Sequence, residues 1–326
     1  MINNKKKIKD NTKLVKFDEA LELVRSEVDN SLSASPLIIR GYTKHLTESK
    51  GKFIRAVSVL ICAEDKDGLI HPNAIKVAAS IEILHLATLV HDDVIDNADL
   101  RRGDVTLQKK YGRKTAVICG DYLFCVALNL ATNITDKEDY LDVDMPNYMG
   151  KICLGELNQH LNNGNLNLSM YQYLKIISGK TAALFEASFF AGAIFAGCKE
   201  AECKKYKQLG HYIGMIFQLI DDCIDFENTV DEAKKPVQSD YEQGVITLPL
   251  IKAFEDVTDL KEKASSEQMT RKDINEAVAK AGGLSFTHRL VKKYHSKSMK
   301  IIKELELTEN KKANLIEILN KASHLS

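Results

Sequence analysis

Apolar positions recur every three to four residues over long stretches of the chain. Val77, Ile81, Leu84, Thr88 and Val90–His91 follow this spacing, as do Leu209, Ile213, Ile216, Phe217 and Ile220, and later Leu290, Tyr294 and Ile301–Ile302. Such spacing lays one stripe along an α-helix, whereas a strand alternates. Prolines stand only at 36, 72, 146, 236 and 249, leaving 73–145, 147–235 and 250–326 without one. A proline inside a helix costs about 3 kcal/mol, so these gaps leave room for long helices. Short apolar runs bounded by hairpin turns are largely missing. The pattern predicts an all-α protein of about a dozen helices. Breaks are expected at Glu64–Pro72, Asn97–Asp104, Asn162–Asn167 and Glu227–Val245. None has the composition of an interdomain linker, so residues 1–326 read as a single domain.

Composition narrows the function. The 326 residues carry 45 Lys+Arg against 45 Asp+Glu, and this balance argues against a nucleic-acid partner. Hydrophobic residues at 44% and charged residues at 28% exclude wholesale disorder. Seven cysteines include no C-x-x-C pair and sit mostly in apolar helical runs, as reduced structural thiols do. The start, MINNKKKIKDNTK, lacks the apolar core of a signal peptide. The longest charge-free stretches, such as Tyr122–Thr135 and Ala187–Cys198, fall short of the roughly 20 residues of a membrane helix. A soluble, cytoplasmic protein is expected.

One long-range echo carries chemistry. An apolar helix ends in Asp92-Asp93-Val94-Ile95-Asp96, and another in Asp221-Asp222-Cys223-Ile224-Asp225. The first and last aspartates of each cluster are four apart, so their carboxylates share one helix face. Three carboxylates in one turn repel one another unless a cation offsets them. Mg²⁺ suits such a set, taking one or two carboxylates and completing its octahedron with water and substrate phosphate. Repetition at the same spacing points to one site built from two sides of one domain.

A diphosphate also needs guanidinium and ammonium groups. Candidates are Arg101-Arg102-Gly103, Gly51-Lys52-Phe53-Ile54-Arg55 and Ser178-Gly179-Lys180-Thr181. The last is no nucleotide P-loop, because the required earlier glycine falls on Leu174.

Together these segments resemble the trans-polyprenyl diphosphate synthases. Leu84-His85-Leu86-Ala87-Thr88-Leu89-Val90, then His91 to Asn97 and Arg101-Arg102-Gly103, look like that family's first aspartate-rich region. Phe217-Gln218-Leu219-Ile220 and Asp221 to Asp225 look like its second. Gly120-Asp121-Tyr122-Leu123, Gly155-Glu156-Leu157, Gly179-Lys180-Thr181, Lys235-Pro236, Asp240, Gly244 and Thr247-Leu248-Pro249 fall in the family's order. The resemblance spans roughly residues 35 to 255.

It implies an isoprenoid-synthase helical bundle around a central apolar cavity, usually dimeric. It also implies two to three Mg²⁺ ions on Asp92, Asp96, Asp221 and Asp225. By the same resemblance Arg101, Lys180, Thr181, Gln218 and Lys235 hold an allylic diphosphate, while Lys52, Arg55, His85 and Arg102 hold isopentenyl diphosphate. The implied reaction ionises the allylic C–O bond, attacks the cation with the isopentenyl double bond and loses a proton. His91 matches no role and reads as structural. Departures are Phe53 and Ala56 near the isopentenyl site, Lys234 and Gln238 around Lys235, and Val245.

Both aspartate motifs are intact, which favours a catalytic chain over a regulatory homologue, although a small partner subunit stays open. A terpene cyclase would need no isopentenyl site, and a di-iron bundle would need a second copy of Glu82-Ile83-Leu84-His85. Chain length is read from Thr88 and Ala87, four and five residues before Asp92. Short-chain members often carry an aromatic at one of these positions; here both are small, with Leu84 and Ile81 deeper on the helix. The resemblance then implies a product of about C30 or more, with farnesyl or geranylgeranyl diphosphate as the alternative, and Ala87→Phe should stop elongation near C15 to C20, since packed interiors reject added volume. The basic stretch from His288-Arg289 to Lys300 allows at most a peripheral membrane contact.

Overall fold

Helices fill the stretches where the three-to-four spacing predicts them, in a computed structural model that describes residues 13–48, 52–101, 103–140, 142–144, 146–227, 241, 243–266 and 269–324. They are α1 (Phe17–Ser33), α2 (Leu37–Glu48), α3 (Ile54–Ala63), α4 (Pro72–Ile95), α5 (Leu107–Tyr111), α6 (Arg113–Thr132), α7 (Tyr148–Asn162) and α8 (Met170–Ile177). There follow α9 (Ala183–Phe195), α10 (Glu200–Glu227), α11 (Leu248–Asp256), α12 (Leu260–Ser266), α13 (Arg271–Lys280), α14 (Gly283–Glu304) and α15 (Glu309–Ser323). A π turn, Ser178–Ala182, joins α8 to α9. The expected break at Asn97–Asp104 contains a two-stranded antiparallel hairpin, β1 (Leu100–Arg101) and β2 (Asp104–Val105). Most of the expected break Glu227–Val245 lies outside the described residues.

The chain divides into two compact units. One comprises residues 1–146, 187–207 and 305–315. Its central element is α4, against which α1, α3 and α6 pack. Pro72 opens α4 at a position where no N–H is needed, and His71 accepts from the Asn73 N–H. Ala74, Ala78, Ala79 and Ala87 are fully buried along α4, and such small side chains let neighbouring helices approach closely. The carbonyls ending α3 are met by a buried lysine of α15: Lys311 Nζ donates to Cys62 O at 2.8 Å and Glu64 O at 2.7 Å. A cation at a helix C-terminus is favoured by the helix dipole.

The second unit comprises residues 147–186, 208–304 and 316–326. Here α7 and α8 pack on the π turn, and α11 packs on α13 and α14. Gly155 of α7 lies so close to the backbone of Gly179 and Lys180 that a Cβ there would overlap it, and a Cβ on Gly179 would meet Lys151 O at 2.8 Å. Two of the ordered glycines of the sequence, Gly155 and Gly179, therefore meet where α7 crosses the π turn.

Charge-free runs prove too strict a membrane criterion. Two helices, α4 and α6, are long and apolar enough to cross a membrane by length and composition, because such a window tolerates one or two charges. Half of the α4 window is buried within the protein, whereas α6 leaves Val117, Ile118 and Leu128 exposed.

Candidate active site

The first aspartate cluster occupies the last turn of α4, the negative end of the helix dipole. Three carboxylates there oppose both one another and the dipole, an arrangement that helix stability alone does not favour. The fold separates them by depth. Asp93 is buried, and Arg101 of β1 donates from Nε to its Oδ1 at 2.7 Å. Burial pushes the Asp93 carboxyl above the usual carboxylate range, while the guanidinium pulls it back. Asp92 and Asp96 stay half-buried on the other face. Four-residue steps from Asp96 run back through Asp92 and Thr88 to Leu84, all half-buried, whereas Ile83, Ala87, Val90 and Val94 are buried. The helix thus has an open ridge bearing the carboxylates and a packed ridge bearing Ala87.

This sorts the chain-length candidates. Thr88 and Leu84 share the open ridge, Ile81 is buried, and Ala87 has no accessible surface. A ring at 87 would meet packed neighbours, whereas a ring at Thr88 would stand on the open ridge.

Other first-unit candidates flank this ridge in sequence. His85 is half-buried. His91 leans on α6, its Nε2 lying 3.2 Å from Asp121 Oδ1 and its ring stacking on Phe124, a packing role as expected. Lys52 is exposed and Arg55 buried at the start of α3, with Phe53 between them in the left-handed region at φ 51°. That conformation is costly for a bulky side chain and is characteristic of functional sites. Arg102 lies outside the described residues, as does Lys235.

The second cluster, near the end of α10, repeats the sorting by depth. Asp222 is buried at 1% exposure, Asp221 is exposed and Asp225 is half-buried. The partners of the inner carboxylate are different. Tyr173 of α8 donates its hydroxyl to Asp222 Oδ2, and Gln218 Nε2 donates to Oδ1 at 2.9 Å. The Thr181 hydroxyl in turn donates to Gln218 Oε1 at 2.7 Å. Lys180, also on the π turn, is held by Glu156 of α7 at 2.8 Å. π turns inside helices frequently mark functional positions. The Cys223 thiol is buried, and burial pushes it up to about 12.

Sequence spacing singles out neither Tyr173 nor distinct roles for Asp93 and Asp222, and Glu156 enters only within the Gly155-Glu156-Leu157 motif. The middle aspartate sits about 100° around the helix from the first, and that offset was the available signal. Among the described residues no group of three or more His, Cys, Asp or Glu converges on a metal site. Each unit instead presents two hard oxygen donors on one helix face, a set that fits Mg²⁺ when water and phosphate fill its other positions.

Carboxylate pairs ending two long helices, and cations at helix starts, are the groups that an enzyme handling diphosphates with a divalent metal needs. The Polyprenyl synthetase family model matches residues 37–281, and the chain belongs to that family. It is therefore a prenyltransferase of isoprenoid biosynthesis. It is 33% identical over 239 residues to heptaprenyl diphosphate synthase component 2 of Bacillus subtilis, covering 73% of this chain and 68% of that protein. It is 29% identical over 305 residues to geranylgeranyl diphosphate synthase of Saccharolobus solfataricus, covering 90% and 91%. The fold matches a polyprenyl synthase of Caulobacter crescentus, crystallised with calcium and isoprenyl diphosphate, at a TM-score of 0.81 and 29% identity, covering 94% of each chain.

Proposed function

We propose that the chain condenses isopentenyl diphosphate onto an allylic diphosphate by 1′-4 trans elongation, giving a product of about C30 or more, because the first turn below Asp92 on α4 carries a small side chain rather than a ring. The observation that carries the length is the open ridge of α4, where small Thr88 stands one turn below Asp92 and apolar Leu84 one turn further. Relatives named for both heptaprenyl and geranylgeranyl products leave the length to experiment.

In this reading Asp92, Asp96, Asp221 and Asp225 hold Mg²⁺, two to three ions. When bound, the metal neutralises charge on the departing diphosphate. Lys180, Gln218, Thr181, Arg101 and Lys235 orient the allylic diphosphate, with Arg101 and Lys180 tethered by Asp93 and Glu156. Lys52, Arg55, His85 and Arg102 hold isopentenyl diphosphate. Apolar helix faces exclude water from the allylic cation.

Both units belong to one domain in this reading, since the matched family segment 37–281 takes residues from each. The exposed Val117, Ile118 and Leu128 of α6 suit a homodimer. A small partner subunit is the second reading, favoured by the relative named as a component 2. The cytoplasm fits the thiols: among the described residues all seven cysteines are free. Exposed Arg289, Lys292, Lys293, Lys297 and Lys300 of α14 allow a peripheral contact with an anionic membrane.

The deciding experiment incubates purified chain with radiolabelled isopentenyl diphosphate, a series of allylic primers and Mg²⁺, then sizes the dephosphorylated products. Products of C30 or longer from the chain alone support the reading. Termination at C15 or C20 overturns the length, and no elongation without a second protein favours the partner-dependent reading.

A further inference from the structure

The chain of hydrogen bonds beneath the second cluster has a direction. Thr181 spends its hydroxyl proton on Gln218 Oε1, so the Gln218 amide must point its Nε2 at Asp222. The Tyr173 hydroxyl takes the other carboxylate oxygen of Asp222. Tyr173 is 4% exposed and Asp222 1%, so both are desolvated, and a hydrogen bond to a buried charged acceptor is among the stronger kinds. Three elements meet in this chain: α8 through Tyr173, the π turn through Thr181, and α10 through Gln218 and Asp222. Asp222 lies one residue after Asp221 and three before Asp225, so holding its carboxylate fixes the rotation of that helical turn.

The geometry points to Tyr173 as a positioning residue for the second aspartate cluster, anchoring Asp222 so that Asp221 and Asp225 face outward and Gln218 and Thr181 keep their orientation. The inference rests on the reading of Asp221 and Asp225 as metal–diphosphate ligands. Tyr173 touches no reacting atom. Its hydroxyl acts through Asp222 on the groups that do. The isopentenyl candidates Lys52, Arg55 and His85 belong to the other compact unit, so loss of the hydroxyl should act on one substrate and spare the other.

The test uses the full chain with Tyr173→Phe, which keeps the buried ring and deletes only the hydroxyl. Tyr206→Phe, a buried tyrosine in the other unit, serves as the control for losing a hydroxyl. Mn²⁺ binding in the presence of inorganic diphosphate is followed by electron paramagnetic resonance, alongside KM for farnesyl diphosphate and for isopentenyl diphosphate, and Tm. Tyr173→Phe should weaken Mn²⁺ binding and raise the farnesyl diphosphate KM about tenfold, the scale of one hydrogen bond to a charged group. The isopentenyl diphosphate KM should stay within about twofold, and Tm should fall no further than in Tyr206→Phe. Unchanged Mn²⁺ affinity and farnesyl diphosphate KM overturn the inference, as does a parallel rise of both KM values with a larger loss of Tm. If Tyr173→Phe does not fold, Asp222→Asn carries the same readouts. Wild-type protein that binds no Mn²⁺ and transfers no prenyl group refutes the functional reading itself; wild-type binding with an indifferent variant refutes only the role of Tyr173.

Discussion

The two aspartate clusters share a spacing and a logic of depth, yet their inner carboxylates are held differently. Asp93 is paired with a guanidinium from the hairpin that follows its own helix. Asp222 is held by a phenol and a carboxamide, one of them from another helix. The first arrangement is local in sequence and charged, so its strength depends on the ionisation of Asp93. The second ties separate elements together with neutral donors. Below the clusters the contrast continues: four residues before Asp92 stands Thr88, while four before Asp221 stands Phe217, whose ring packs 5.5 Å from Phe185. The same motif thus opens onto a small residue at α4 and an aromatic pair at α10.

The largest effect should come from the outer carboxylates, where the clusters ought to be equivalent. Asp92→Asn and Asp221→Asn should each lower turnover by about 10²–10³-fold or more, the scale of one lost charge-stabilising group. Tm should hold or rise slightly, because a carboxylate is removed from the unfavourable end of a helix. Full steady-state activity in one variant but not the other would break the equivalence.

The inner carboxylates should differ in pH dependence. Arg101→Met leaves Asp93 buried beside no guanidinium and should cost about 1–3 kcal/mol. Burial already holds the Asp93 carboxyl above its ordinary 3.8, and removing Arg101 raises it further. The folded state then binds more protons than the unfolded one, so stability is lost as pH rises from that ordinary value through the raised one. Thermal melts of Arg101→Met at pH 4 and pH 7 should show the larger deficit at pH 7. Equal deficits would mean that the pair is not what holds Asp93.

Along the two ridges of α4, Thr88→Phe should shorten the products while leaving the fold intact. Ala87→Phe, on the packed ridge, should chiefly cost stability, about 1–3 kcal/mol for an overfilled core. Chromatography of dephosphorylated products and melting curves separate the two outcomes; shortening by Ala87→Phe with unchanged Tm would place the passage on the other ridge. The smallest effect concerns the thiols. Exposed Cys125 and Cys153 should alkylate with iodoacetamide at pH 8, while buried Cys119, Cys203 and Cys223, pushed up to about 11, 12 and 12, should resist until the protein unfolds. Peptide mass spectrometry reads this directly.

Much of the site was legible because helices translate spacing into facing. Four residues between outer aspartates place them on one ridge whatever surrounds the helix, and the proline gaps leave room for helices long enough to carry them. Glycine order was legible for the same reason, since Gly155 and Gly179 are required by a close crossing. Less was legible where depth mattered. Ala87 and Thr88 look alike as small neighbours in the sequence, and only burial assigns one to the packed face. Charge-free runs likewise missed α4 and α6, because hydropathy averages over a window and tolerates flanking charges.

The sequence by itself determined the all-helical class and the shared facing of the outer aspartates through local spacing, and the family through its ordered motifs. Tertiary structure alone decided which aspartate of each cluster faces inward and who holds it: Arg101 for Asp93, Tyr173 and Gln218 for Asp222, and Glu156 for nearby Lys180. Those partners are up to 49 residues away in sequence. Side-chain hydrogen bonds over such separations depend on how helices pack, and no periodicity within one helix encodes them.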